Sequence, residues 1–154
     1  EDVTTLAAEG AMIGAYLAIM RRRLAKRLDY SIDIPDALAP HPLPPGMLIT
    51  LVENAIKHGI EPWPAGGQVR VVAREAGDRL EIVVADTGAG VEGAGLKSGG
   101  IGLSNIRERL ALLYGERGAL ELEENEPRGF VARILLPREA SPSTVPFVPV
   151  MARP

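Results

Sequence analysis

Apolar positions recur at helical spacing near the start of the chain: Leu6, Ile13, Leu17, Met20, Leu24 and Leu28, with Arg21, Arg22, Arg23, Lys26 and Arg27 on the other faces. Residues three and four apart stack on one side of an α-helix, so this spacing predicts a helix over residues 5–28. The period then changes. Leu28, Tyr30, Ile32 and Ile34 alternate with Asp29, Ser31 and Asp33, which predicts a strand with one buried face. Pro35 to Pro45 reads as a loop. Helical spacing returns with Pro45 at a suitable first position and Met47, Leu48, Leu51, Val52, Ala55 and Ile56 inward, and Gly59 is the expected stop.

Pro62, Pro64, Gly66 and Gly67 mark a further loop. Two β-rich runs, 68–75 and 79–86, are joined by Ala76-Gly77-Asp78, a hairpin signal. Residues 88–102 carry seven of the chain's 17 glycines and show no periodicity. A helix is expected from about Leu103 to Leu113, with Ile106, Leu110 and Leu113 inward, followed by strands near 119–124 and 129–136. The last residues, Pro137–Pro154, hold five prolines and read as an extended or disordered tail. The expected architecture is α+β: about three helices on one face of a mixed, largely antiparallel five-stranded sheet, a two-layer α/β sandwich.

Composition narrows the function classes. At 154 residues the chain fits one compact domain. A net charge of −3 speaks against bulk electrostatic attraction to nucleic acid or anionic lipid. There is no cysteine, which removes disulfides, thiolate metal sites and a cysteine nucleophile. His41 and His58 are the only histidines, little material for a histidine-ligated metal. No apolar run approaches the ~20 residues that cross a bilayer. The chain begins at Glu1 without a basic-then-apolar leader and is expected to be a piece of something longer.

Three clusters carry candidate chemistry. The first is Glu53-Asn54-Ala55-Ile56-Lys57-His58 on the second helix, where Asn54, Lys57 and His58 are expected to share a face. An Asn oxygen can join a magnesium shell made of phosphate oxygens and water, a lysine can neutralise phosphate, and Glu53 can orient or deprotonate a nucleophile. A solvated polar face with cations at a helix C-terminus accounts for the same residues. The second is Asp86-Thr87-Gly88-Ala89-Gly90 at a strand end. A carboxylate there can accept a hydrogen bond from an adenine amino group, and the glycines let a flat ligand approach the backbone. An ordinary turn uses the same residues. The third is Gly99-Gly100-Ile101-Gly102-Leu103-Ser104-Asn105. Its unpaired backbone N–H groups at a helix start suit a phosphate, and the glycine-rich stretch before it has the character of a mobile lid; the plain alternative is a flexible linker. Gly88, Gly90 and Gly93 match the dinucleotide fingerprint by letter, but the run Ala94-Gly95-Leu96-Lys97-Ser98-Gly99-Gly100 does not read as the helix start that motif requires, and Leu96 separates Gly95 from Lys97 in what would otherwise end a phosphate loop.

In this order the clusters resemble the N, G1 and G2 boxes of the superfamily of gyrase, heat-shock chaperone, histidine kinase and MutL ATPases (GHKL, Bergerat type). The resemblance is nearest to LytS-type sensor histidine kinases, on Leu43-Pro44-Pro45, Leu51 through Gly59, and Gly100 through Leu110. Tyr16-Leu17-Ala18-Ile19 and the basic run after it resemble the segment that precedes the family's ATP domain, so the likeness covers roughly residues 5–137. It implies that residues 1–28 form a helix leading from a dimerisation region outside the chain and 29–137 the ATP-binding catalytic domain, while the proline-rich tail, 138–154, read from composition alone, has no counterpart in the family. It implies ATP and Mg2+ as cofactors and protein-histidine kinase activity, the γ-phosphoryl group passing to a histidine outside the fragment. Asn54 would hold the metal, Glu53 would help activate the acceptor, and Lys57 and His58 would approach the phosphates. Asp86 would read adenine, Gly88 and Gly90 would shape its pocket, and Gly100, Gly102, Leu103 and Asn105 would line the lid hinge and phosphate end.

Expected partners are the phosphoacceptor region of the parent kinase, a response regulator, and a second copy in the full-length protein. Nucleic acid is not among them, and a membrane enters only through segments outside the chain, with this domain on the cytoplasmic side. Neither histidine matches the family's acceptor, and Gly129-Phe130 stands where relatives often carry Gly-Thr near adenine. A nucleotide-binding or docking module of the same fold, without kinase activity, is the alternative reading.

Overall fold

The computed structural model describes residues 3–90 and 100–138. Helix α1, Leu6–Leu24, starts at Thr5, whose hydroxyl accepts the Ala8 N–H at 3.1 Å. This N-cap satisfies one of the donors that a helix start leaves open. Leu6, Ile13, Leu17 and Met20 turn inward, as their spacing required. The helix ends at Ala25, whose φ of 53° is unusual for a residue other than glycine, and a short 3-10 turn leads into strand β2, Leu28–Asp33. Two short strands stand where no strand was expected. β1, Thr4–Thr5, pairs antiparallel with β3, Pro42–Leu43, and ties the start of α1 to the segment before the second helix. Two-residue strands leave no alternation to read.

Helix α2, Met47–Asn54, does not stop at Gly59. It widens into a π-helical turn over Ala55–Ile60, running through the glycine. Single π turns inside α-helices are often found at functional positions. Strands β4, Gly67–Ala76, and β5, Arg79–Asp86, form the expected hairpin. Helix α3, Gly100–Tyr114, is followed by strands β6, Ala119–Glu124, and β7, Phe130–Pro137. The proline-rich tail after Arg138 and most of the glycine-rich stretch, 91–99, lie outside the described residues.

The five-stranded sheet has the order β2-β4-β5-β7-β6, with β2 and β4 parallel and every other pair antiparallel. Alternation puts Val69, Val71 and Ala73 of β4, Leu80, Ile82 and Val84 of β5, and Ala132, Ile134 and Leu136 of β7 into one core with the helices. From the other side the core takes Leu17 of α1, Leu48, Leu51 and Val52 of α2, and Leu103, Ile106 and Leu110 of α3. Helices therefore cover one face of the sheet, the two-layer arrangement the element order predicts. On the opposite face Glu81 pairs with both Arg74 and Arg133, and Arg133 also reaches Glu123 at 3.0 Å.

Candidate functional site

Asp86 ends β5 in phase with Leu80, Ile82 and Val84, so its side chain points into the layer between sheet and helices. It is 2% exposed. Directly above it runs the π-helical turn: a Cβ added to Gly59 would stand 2.7 Å from the Asp86 carboxylate carbon. The Gly88 N–H donates to Oδ1 of Asp86 at 2.8 Å. Burial raises the carboxyl's pKa to about 6, against the opposing pull of backbone hydrogen bonds from Gly88 and Phe130. A carboxylate starved of solvent and only partly satisfied by the protein is a strong acceptor for a ligand N–H.

The turn after Asp86 is fitted tightly between two walls. On one side the Ala89 N–H donates to Gly59 O at 2.8 Å, and a Cβ on Gly88 would fall 2.0 Å from that same carbonyl oxygen. On the other side is the turn between β6 and β7. There Asn125 Nδ2 donates to Asp86 O at 2.9 Å, and Arg128 Nε donates to Gly88 O at 3.1 Å. Gly129, with a φ of 116°, passes so close that a Cβ would stand 1.9 Å from Asp86 O. Thr87 fastens the turn to β4: its N–H donates to Gln68 O at 3.1 Å, and its Oγ1 accepts the Gln68 N–H at 2.9 Å.

Asn54, five residues before Gly59, is half-buried where α2 faces the first turn of α3. A Cβ on Gly102 would lie 3.9 Å from Asn54 Nδ2 and 3.2 Å from the Thr50 methyl. The missing side chain at Gly102 thus leaves room beside the amide. Leu103 is buried in the core and anchors α3, while Asn105 is exposed and Gly100 opens the helix. Glu53 and Lys57 lie elsewhere on α2. With Ile56 they line a groove against α1, opposite Tyr16, Met20 and Arg23 and beside Glu61. The face that Asn54 and Lys57 were expected to share is therefore divided, with the amide toward α3 and the lysine toward α1. His58 is half-buried, and Gly90 borders a pocket formed with Ala89 and residues of the β6–β7 turn. The expected lid falls mainly on residues 91–99, outside the described residues.

Among the described residues no group of three or more His, Asp or Glu side chains is placed to hold a metal. The donor set that does exist, one Asn amide beside an open glycine, fits a magnesium whose remaining ligands are phosphate oxygens and water. Several participating residues escaped the sequence reading. Thr50, four before Asn54, was within reach because that spacing puts it on the same helix face. Asn125 and Arg128 gave no local signal, since their contacts with Asp86 and Gly88 span 39 and 40 positions.

Solved structures place this architecture among histidine-kinase catalytic domains. It superposes on the catalytic domain of histidine kinase ThkA with a TM-score of 0.67 at 15% identity, covering 89% of this chain and 96% of that one. A mycobacterial sensor histidine kinase, MprB, gives 0.61 at 20% identity, covering 89% and 97%. A family described as histidine kinase-, DNA gyrase B- and HSP90-like ATPase matches residues 46–140, and the chain belongs to it, as a domain of the LytS sensor-kinase type. Sensor histidine kinase YesM of Bacillus subtilis is 34% identical over 140 residues, which is 89% of this chain and 24% of YesM. Sensor protein LytS of Enterococcus faecalis is 30% identical over 138 residues, 82% of this chain and 23% of that protein. The chain thus spans about a quarter of the length of these relatives. No helix among its described residues is long and apolar enough to cross a membrane.

Proposed function

We propose that this domain binds Mg-ATP between α2, the Asp86 turn and α3, and donates the γ-phosphoryl group to a histidine carried by another part of a longer sensor kinase. The observation that carries this reading is the position of Asp86: a buried, partly satisfied carboxylate under a glycine of the helix that bears Asn54. Adenine's amino group donates to Asp86, and the purine lies along the backbone of Gly88 and Gly90. The triphosphate extends toward Asn54, Gly102 and the start of α3, where helix N–H groups favour an anion. Asn54 would hold the magnesium, which would supply neutralisation of phosphate charge.

The chemistry asks little of the domain itself beyond positioning and charge neutralisation. An imidazole nitrogen of the acceptor attacks the γ-phosphorus, the bond to the bridging oxygen breaks, and ADP leaves. Glu53, on the α1 side of α2, orients the imidazole and takes its proton; Lys57 beside it balances charge. Through the parent protein the phosphoryl group passes to a response regulator. The parent works as a homodimer with this domain on the cytoplasmic side, where ATP is available.

Calorimetric titration with Mg-ATP and Mg-GTP tests the binding half of the reading. Mg-ATP is expected to bind and Mg-GTP to bind far more weakly; equal affinity for the two would remove adenine recognition. For the transfer half, the isolated domain is expected to label itself little and to phosphorylate an added histidine-bearing region. Strong self-labelling would overturn that division of labour.

A further inference from the structure

The two walls that hold the Asp86 turn are joined to each other. The guanidinium of Arg128, in the β6–β7 turn, lies 4.5 Å from the centre of the Trp63 ring, in the loop that follows the π-helical turn. Together with the bonds from Ala89 to Gly59 (2.8 Å), Asn125 to Asp86 (2.9 Å) and Arg128 to Gly88 (3.1 Å), this stack closes a ring of contacts around residues 86–89. Trp63 is itself well seated. Its backbone carbonyl accepts from Arg27 Nη2 at 3.0 Å and from the Gly66 N–H at 2.8 Å, and its own N–H donates to Ile60 O at 3.1 Å. The indole Nε1 is buried with no hydrogen-bond partner among the described residues. The ring's orientation therefore comes from packing and from the guanidinium lying over it.

We propose that Arg128, clasped to Trp63, is a positioning residue for the purine, acting through Gly88 and Asp86 rather than by touching the base. The proposal rests on Asp86 being the adenine acceptor. Its physical motive is the conflict at that residue. A carboxylate 2% exposed gains by moving toward water, and the turn that carries it has glycines at 88 and 90, which offer no side chain to hold it in place. A tie on Gly88 O from outside the turn opposes that drift and keeps the acceptor under Gly59. Arginine suits the task because its plane can lie on an indole while its edge N–H meets a carbonyl, a combination that lysine's point charge cannot reproduce.

The test compares Mg-ATP and Mg-GTP titrations of the whole chain in wild type, Arg128→Ala, Arg128→Lys, Trp63→Phe, Trp63→Ala and Asp86→Asn. Losing one cation–π stack and one hydrogen bond is expected to weaken Mg-ATP binding about five- to tenfold in Arg128→Ala. Mg-GTP should change little, so the preference for ATP narrows by the same factor. Arg128→Lys should recover little of it. Trp63→Phe keeps an aromatic face and should stay near wild type, whereas Trp63→Ala should match Arg128→Ala, and combining the two should add nothing further. A fall in affinity for both nucleotides alike, or an unchanged ATP-to-GTP ratio in Arg128→Ala, would overturn the positioning role. Asp86→Asn separates this failure from a deeper one. If it leaves the ratio intact, adenine recognition by Asp86 falls and the clasp with it; if it collapses the ratio while Arg128→Ala does not, only the clasp falls.

Discussion

Gly59 and Asp86 are in such close contact that no side chain larger than hydrogen fits between them: an added Cβ would meet all three carboxylate heavy atoms, the nearest at 2.7 Å. That contact explains why the helix bearing Asn54 widens into a π turn instead of ending. The turn carries the Gly59 backbone onto the end of β5, where its carbonyl takes the Ala89 N–H and its Cα covers the carboxylate. The helix that bears Asn54 is thereby packed directly against the strand end that bears Asp86.

Gly59→Ala should therefore force helix and strand apart. Overpacking of this kind costs about 1–3 kcal/mol. A denaturant melt should show that loss, and Mg-ATP affinity should fall with it. Gly14 on α1 serves as the comparison, because a Cβ there meets only the Ile32 methyl at an ordinary 3.7 Å. Gly14→Ala should be neutral or stabilise by up to about 1 kcal/mol through helix propensity. Equal effects of the two substitutions would show that the Gly59–Asp86 contact is not tight in solution.

The pKa of Asp86 sets a pH dependence of stability. Folding raises it from 3.8 to about 6, so between those values the folded chain holds a proton that the unfolded chain has released. The resulting contribution is fully present below pH 3.8 and lost as pH rises through about 6. The shift corresponds to roughly 3 kcal/mol at 1.36 kcal/mol per unit. Asp86→Asn cannot titrate. The stability of wild type relative to Asp86→Asn should fall by an amount of that order between pH 4 and pH 7, as read from urea melts across the range. A flat difference would mean that the carboxyl is better solvated than its position indicates.

Ligand binding should run the opposite way with pH. If an adenine amino group donates to the ionised carboxylate, as proposed, Mg-ATP affinity should decline below about pH 6 and level off above it. Binding near that pH should release protons, visible as a calorimetric heat that varies with the buffer's ionisation enthalpy. In Asp86→Asn both effects should vanish, and discrimination against Mg-GTP should weaken. A wild-type affinity that ignores pH across this window would take Asp86 out of the purine site.

Much of this arrangement could be read from the chain. The three main helices, the hairpins and the two-layer packing follow from periodicity, because long elements with one buried face leave a clear imprint. Asp86 was legible twice over: as a turn residue beside glycines, and as the next inward position after Leu80, Ile82 and Val84. What could not be read depends on distant partners. The π turn arises where Gly59 meets a residue 27 positions later, so by its own pattern the glycine looked like a helix stop. Splitting Asn54 from Lys57 needs both α1 and α3 in place to define the two sides of α2. Arg128 and Asn125 lie in a turn whose sequence carries no sign of which strand end it will press against.

Asn54→Ala tests the metal side alone. If the amide oxygen holds magnesium, the substitution should weaken Mg-ATP binding while leaving metal-free ATP binding unchanged, so that the ratio between them shrinks. The open space at Gly102 gives a second handle. Gly102→Val would fill the room beside Asn54 and Thr50, and should reduce triphosphate binding without altering preference between the bases. An unchanged magnesium dependence in Asn54→Ala would count against the amide as a ligand.

Glu53 offers a way to separate transfer from binding. Its carboxylate lies in the groove against α1, and the same charge, together with burial and Glu61, raises the pKa of Tyr16 above its ordinary 10.0, burial being the largest cause. In Glu53→Gln the Tyr16 phenol should titrate at lower pH than in wild type, because one of the charges opposing its ionisation is gone. NMR titration of the Tyr16 ring would follow this and so locate Glu53 in solution. Mg-ATP binding should survive the substitution, since Asn54 and Asp86 are untouched, while phosphorylation of an added histidine-bearing region should fall by about 10²–10⁴ if Glu53 takes the acceptor's proton. A shift in Tyr16 with transfer unaffected would place Glu53 in the groove but remove it from the chemistry. Loss of nucleotide binding would mean that the α1 and α3 sides of α2 are not independent.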